Sequence, residues 1–230
     1  MYTKLSPNHS GPRTHAVTRI TPHSVVGQLS VEAIGNIFFP KARQASCNYA
    51  IGADGRVALI VEEQNRSWCS SSNENDQRAI TIECASDAQP PYAFKPVVYQ
   101  KLIDLCVDIC KRYGKKKLLW LREKERSLAY EPKHDEMILT VHRWFAKKSC
   151  PGDWLFARMG DLAAEVSNRL TGYYRVRKSW DQSESQIGAF SVLDNALKCA
   201  REHEGYRVFD ENGMQVSADT QVPAGMLFEH

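Results

Sequence analysis

The chain has 230 residues, 43% hydrophobic and 25% charged, with a formal net charge of +3, the balance of an ordinary globular protein of one large domain or of a large and a small one. Residues 171–230 hold six Lys/Arg against nine Asp/Glu, a balance of −3, and residues 1–170 hold 24 against 18, a balance of +6. The larger part therefore suits an anionic partner, but no basic run with interleaved aromatics argues for nucleic acid and no run of about 18 apolar residues argues for a membrane span.

Residues 1–13, rich in Pro, Gly, Ser and Asn, read as an irregular arm without the apolar core of a signal peptide. The seven cysteines (47, 69, 84, 106, 110, 150 and 199) include no C-x-x-C pair, and read as reduced thiols of a protein made in a cytosol. Residues 16–21 read as a strand that runs into Pro22, His23 and a loop containing Gly27. Ser30 is placed to cap a helix over residues 31–38, where Val31, Ile34 and Phe38 recur at helical spacing. Two β-rich runs, 45–52 and 57–61, flank Asp54-Gly55 and predict a hairpin. A polar loop over residues 62–78 carries Trp68, a ligand-binding aromatic or a plug for a satellite core. Residues 79–84 read as a short strand with Glu83 near its end.

Val98, Leu102, Leu105, Ile109 and Tyr113 form one stripe of a helix over residues 96–113, ended by Gly114. A strand over 117–121 and a charged connection over 122–136 follow, and residues 154–170 read as one closing helix. Strands alternating with helices imply an α/β domain, a mixed central β-sheet flanked by helices, over residues 1–170. Beyond the boundary at 170–172 the pattern is strand 173–177, strand 186–190, a short helix, strand 206–209 and a turn at Glu211-Asn212-Gly213, a small α+β domain over residues 171–230.

The segment 142–150 begins with His142, ends with Cys150 and is closed by Pro151-Gly152. Imidazole and thiolate are a pair that zinc favours, although a core histidine and an inert thiol are the plainer alternative. A third ligand must come from elsewhere. His23, at a strand end before a loop and helix, competes with His15, and His134 competes with His142 from a charged segment.

Several of these pieces taken together resemble the zinc-dependent N-acetylmuramoyl-L-alanine amidase family, which includes peptidoglycan-recognition proteins and phage endolysins. They are Ile20-Thr21-Pro22-His23, Ser46 to Gly52 with Asp54-Gly55, Ile80 to Glu83, and His142 with Ser149-Cys150-Pro151-Gly152. The resemblance spans roughly residues 15–168. It implies an amidase fold of the peptidoglycan-recognition type, with His23, His142 and Cys150 as ligands of a catalytic Zn2+ and a fourth position left for water. It further implies that Glu83, Lys148 and Tyr49 share the acid–base and oxyanion work, with Trp68 and Asn48 toward substrate. The implied activity is hydrolysis of the amide between N-acetylmuramic acid and L-alanine, with bacterial peptidoglycan as partner and neither nucleic acid nor membrane. The alternative is a recognition protein of the same fold without catalysis. Such an enzyme would be made in the cytoplasm and reach the wall by holin-type release or lysis. Ser24 stands where many relatives have a second polar ring or histidine, and the 171–230 part resembles, loosely, small wall-binding modules of lysins.

Overall fold

The computed structural model describes residues 1–210 and 213–217, and the chain forms two compact units, Met1–Leu170 and the part from Thr171 onward. In chain order the first unit contains β1 (Tyr2–Thr3), β2 (His9–Ser10), β3 (Arg19–Ser24), α1 (Val31–Phe38), β4 (Tyr49–Ile51), β5 (Val57–Leu59), β6 (Arg66–Ser67), α2 (Asn73–Arg78), β7 (Ala79–Cys84), α3 (Pro96–Arg112), β8 (Lys117–Leu119), α4 (Lys124–Ala129), β9 (Glu136–Leu139), α5 (Asp153–Phe156) and α6 (Met159–Thr171). Seven strands make one sheet in the order β1-β5-β4-β7-β3-β9-β8, parallel except where β5 turns back on β4. This is the expected α/β arrangement, a mixed sheet flanked by helices.

Strand alternation sorts the side chains of this sheet. Ile20, Ile51, Ile80, Ile82 and Leu139 point to the face covered by α3 and α6, where they join Leu102, Ile109, Leu162 and Val166 in the larger core. Ala50, Ala58 and Ile60 point to the other face, where α1 supplies Val31, Ile34 and Phe38. α1 begins where expected, the Ser30 hydroxyl accepting the Ala33 N–H at 3.2 Å. The sheet thus buries apolar surface on both faces, as parallel strands require.

Five expectations are corrected. The arm 1–13 is not irregular: β1 pairs with β5, β2 pairs with β6, and the Asn8 amide donates to the Phe38 and Pro40 carbonyls. The strand before His23 does not stop at Pro22, and β3 runs to Ser24 in register with β7. Pro22 is tolerated because β9 pairs only as far as Ile20, whose carbonyl accepts the Thr140 N–H at 3.0 Å, so the missing Pro22 N–H falls where no strand waits for it. The stretch 62–78 is not all loop, since α2 forms under a Ser72 cap. The closing helix is two: the Arg158 guanidinium takes the Trp154 carbonyl at 3.0 Å while the Arg158 N–H bonds Leu155, which tightens the turn between α5 and α6. The charged connection likewise holds α4.

The second unit contains β10 (Tyr174–Arg177), β11 (Gly188–Phe190), α7 (Leu193–Arg201), β12 (Arg207–Phe209) and β13 (Gln215–Val216). Its strands form an antiparallel sheet in the order β11-β10-β12-β13. The turn expected at Glu211-Asn212-Gly213 lies partly outside the described residues. No described helix is long and apolar enough to cross a membrane.

Candidate metal centre and its cavity

Thr21 and His23 on β3, and Thr81 and Glu83 on β7, alternate with the core isoleucines and so point away from α3. His23 and Glu83 are register partners, their Nδ1 and Oε1 atoms 4.0 Å apart. β9 delivers the second histidine: Thr140 lies beside Thr21, and His142 follows two residues later in a single turn of 3₁₀ helix (His142–Trp144). The His23 and His142 rings stand edge to face with centroids 5.1 Å apart.

Cys150 reaches this pair through a stitched loop. The Arg143 N–H donates to the Cys150 carbonyl at 3.0 Å, and its guanidinium holds the Ser149 carbonyl and, at 3.0 Å, the Asp153 carboxylate. Gly152 has φ +87°, and a Cβ there would lie 2.8 Å from Tyr92 Cβ, so the chain turns away from Cys150 where only glycine fits. The Cys150 Sγ then lies 3.2 Å from His23 Nδ1. One donor atom each of His23, His142 and Cys150 falls within a 4.8 Å span.

Beneath the two histidines lies a buried hydroxyl–amide network. Thr21 and Thr140 share a 2.7 Å hydrogen bond, and Asn75 of α2 donates to Thr21 at 3.0 Å and accepts from Thr140 at 3.0 Å. The neighbouring Asp76 carboxylate accepts the N–H groups of Cys69 at 3.0 Å and Ser70 at 3.1 Å, fixing the cavity wall. These residues were not anticipated, because α2 has no apolar stripe to announce it.

Above this floor opens a cavity of about 580 Å³, lined by His142, Cys150, Glu83, Lys148, Trp68 and Arg43 among others. Trp68 is fixed there by its Nε1–H donating to Ser10 at 2.9 Å. Ser71, also not anticipated, places its hydroxyl 3.0 Å from His142 Nε2. Burial holds the imidazoles neutral: the His23 pKa is pushed well below its ordinary value by desolvation and then by His142, and that of His142 is lowered by desolvation and then by Lys148. Burial raises Glu83 to about 7, against weaker opposing effects of Cys69 and Arg43. Desolvation and Glu83 raise the Cys150 thiol, and Ser24 opposes them. Ser24 thus acts on the thiol.

Two neutral imidazoles and a thiol within one ion's reach form a donor set that suits zinc. His23 Nε2 and Glu83 Oε2 are buried with no hydrogen-bond partner among the described residues, an arrangement that is costly unless something else satisfies them.

Two expected site residues lie elsewhere. Tyr49 is in register with Ile82, not Glu83, and so faces α3, where its hydroxyl donates to Glu63 at 2.8 Å. Asn48 is fully buried, and its amide is consumed by the backbone of Thr81, Val61, Glu62 and Asn65 and by Arg13. Neither reaches the cavity.

A sequence model of N-acetylmuramoyl-L-alanine amidases matches residues 13–153. No curated protein matches the chain. Among solved structures the chain is similar in fold to PlyL, with a TM-score of 0.53 at 17% identity over 72% of this chain and 96% of that one. The catalytic domain of XlyA aligns with a TM-score of 0.49 at 12% identity over 72% and 97%. An AmpD derivative aligns with a TM-score of 0.48 at 19% identity over 69% and 92%.

Proposed function

The chain belongs to the N-acetylmuramoyl-L-alanine amidase family, and from that premise we propose that it hydrolyses the amide joining the lactyl group of N-acetylmuramic acid to L-alanine in bacterial peptidoglycan. The observation that carries this reading is the convergence of His23, His142, Cys150 and the buried carboxylate of Glu83 beside one cavity. The two histidines and the cysteine would hold zinc. Bound there, zinc lowers the pKa of a water ligand to about 7 and polarises a carbonyl.

The rest falls to the chain's own side chains. Glu83 accepts a proton from the attacking water and passes it to the departing amine, a task for which its raised pKa suits it. Lys148, on the exposed side of the cavity, brings an ammonium toward the developing oxyanion, a contribution of about 3 kcal/mol for one such donor. The Ser71 hydroxyl holds the His142 ring in orientation. Trp68 offers an apolar wall to substrate. The second unit tethers the chain to the wall and raises its effective concentration there.

Purified cell walls, incubated with the protein with and without a chelator, test the reading. Lysis should stop with the chelator and resume with zinc, His142→Ala and Cys150→Ser should be inactive, and the product should be a new L-alanine amino group. Release of reducing sugar instead, or full lysis by Cys150→Ser, overturns it.

A further inference from the structure

The sheet of the second unit has two unlike faces. Val176, Val208 and Val216 are register partners in series, and with Tyr174 and Phe190 they pack on α7. The alternate positions fall on the other face: Arg175, Arg177, Arg207 and Phe209. Arg177 and Arg207 stand directly opposite each other, a like-charge pairing that costs stability.

Among the described residues none of the three arginines is ion-paired with a carboxylate. Arg177 donates from Nε and Nη2 to the Gln186 amide oxygen at 3.0 and 2.9 Å, and from Nη1 to the Trp180 carbonyl at 3.0 Å. Arg207 reaches the Gln215 amide oxygen at 3.4 Å, and Arg175 the Tyr173 carbonyl at 3.3 Å. Trp180 lies over Phe209, their centroids 6.0 Å apart, with the guanidinium groups of Arg177 and Arg175 at 4.9 and 5.9 Å from its ring. This part of the chain carries a net charge of −3, so three uncompensated cations on one face are a segregation of charge, not general basicity.

We propose that this face binds the carboxylates of peptidoglycan stem peptides. A guanidinium fork matches a planar carboxylate through two parallel hydrogen bonds, which a point charge does not. Arg177, already oriented by Gln186 and Trp180, loses less side-chain freedom on binding than a free side chain. The inference rests on the reading that the wall is the substrate, and it places the tether on named residues.

The test is co-sedimentation of the full-length chain with wall sacculi stripped of phosphodiester polymers. Wild type should bind, more weakly as salt rises, and more weakly on sacculi whose carboxylates have been amidated. R175Q/R177Q/R207Q should raise the dissociation constant about tenfold or more, Arg207→Gln by less, and Arg207→Lys least. Arg207 is exposed, so its variants stand in if the triple variant fails to fold. The proposal is overturned if Arg207→Gln and a folded triple variant bind stripped sacculi as wild type does, if amidation changes nothing, or if binding needs the phosphodiester polymer. Hydrolysis of a soluble muropeptide by wild type is read in parallel. Its failure sinks the amidase reading alone, and unchanged binding by the arginine variants sinks this one alone.

Discussion

The His23–Glu83 pair and the Asn48–Tyr49 corner sit on neighbouring strands at one end of the same sheet, yet they end differently. At the corner every side-chain polar atom has a protein partner: the Asn48 amide binds four backbone groups and Arg13, and the Tyr49 hydroxyl binds Glu63, itself held by Arg112 at 2.5 Å. At the pair, His23 Nε2 and Glu83 Oε2 are also buried and bind nothing among the described residues. Burial alone therefore does not separate architecture from chemistry here. What separates them is whether the protein has spent the hydrogen-bonding capacity on itself.

Substitutions can break that contrast. The largest effect is expected from Glu83→Gln, a fall in kcat of about 10²–10⁴ with zinc content unchanged, and near-wild-type turnover would remove Glu83 from the reaction. Asn48→Ala should cost about 3 kcal/mol of unfolding free energy, since several buried backbone groups lose their partner, while kcat per folded molecule holds. Denaturant titration and active-site counting separate the two. Ser71→Ala should weaken zinc binding about tenfold, read by competition with a chromophoric chelator, and unchanged affinity would mean that the Ser71 contact is incidental. The smallest change is Tyr49→Phe, about 1 kcal/mol of stability for one hydrogen bond with kcat intact. A drop of orders of magnitude in kcat would place the phenol at the reaction after all.

The same contrast marks what the sequence discloses. β3, β7, the hairpin, α1 and α3 are legible because each has a period, a cap or an Asp-Gly turn of its own. β1 and β2 are only two residues each and exist through their partners, so an arm of Pro, Gly and Asn conceals them. α2, Asn-Glu-Asn-Asp-Gln-Arg, carries no apolar stripe because what it buries is Asn75 and Asp76, used as hydrogen-bonding groups. Of the candidate site, only His142 and Cys150 are legible as a donor pair from residue type and spacing, and His23 and Glu83 join them through the family resemblance. The misplacing of Tyr49 is of another kind. Which face it takes depends on pairing with Ile82 rather than Glu83, and that is a register set by tertiary contact, invisible within β4 itself.

That parity has a consequence for how such a protein can vary. Along β3 and β7, positions 20, 80 and 82 answer to the helices behind the sheet, and positions 21, 23, 81 and 83 to the polar groups in front of it: the hydroxyl–amide contacts of Thr21 and Thr81 and the His23–Glu83 pair. Two independent texts are interleaved letter by letter on the same strands. Aliphatic exchanges in one leave the other unread, so the scaffold can drift while the chemistry stays fixed. A deletion of one residue just ahead of Ile80 would transpose the texts on β7 and corrupt both at once.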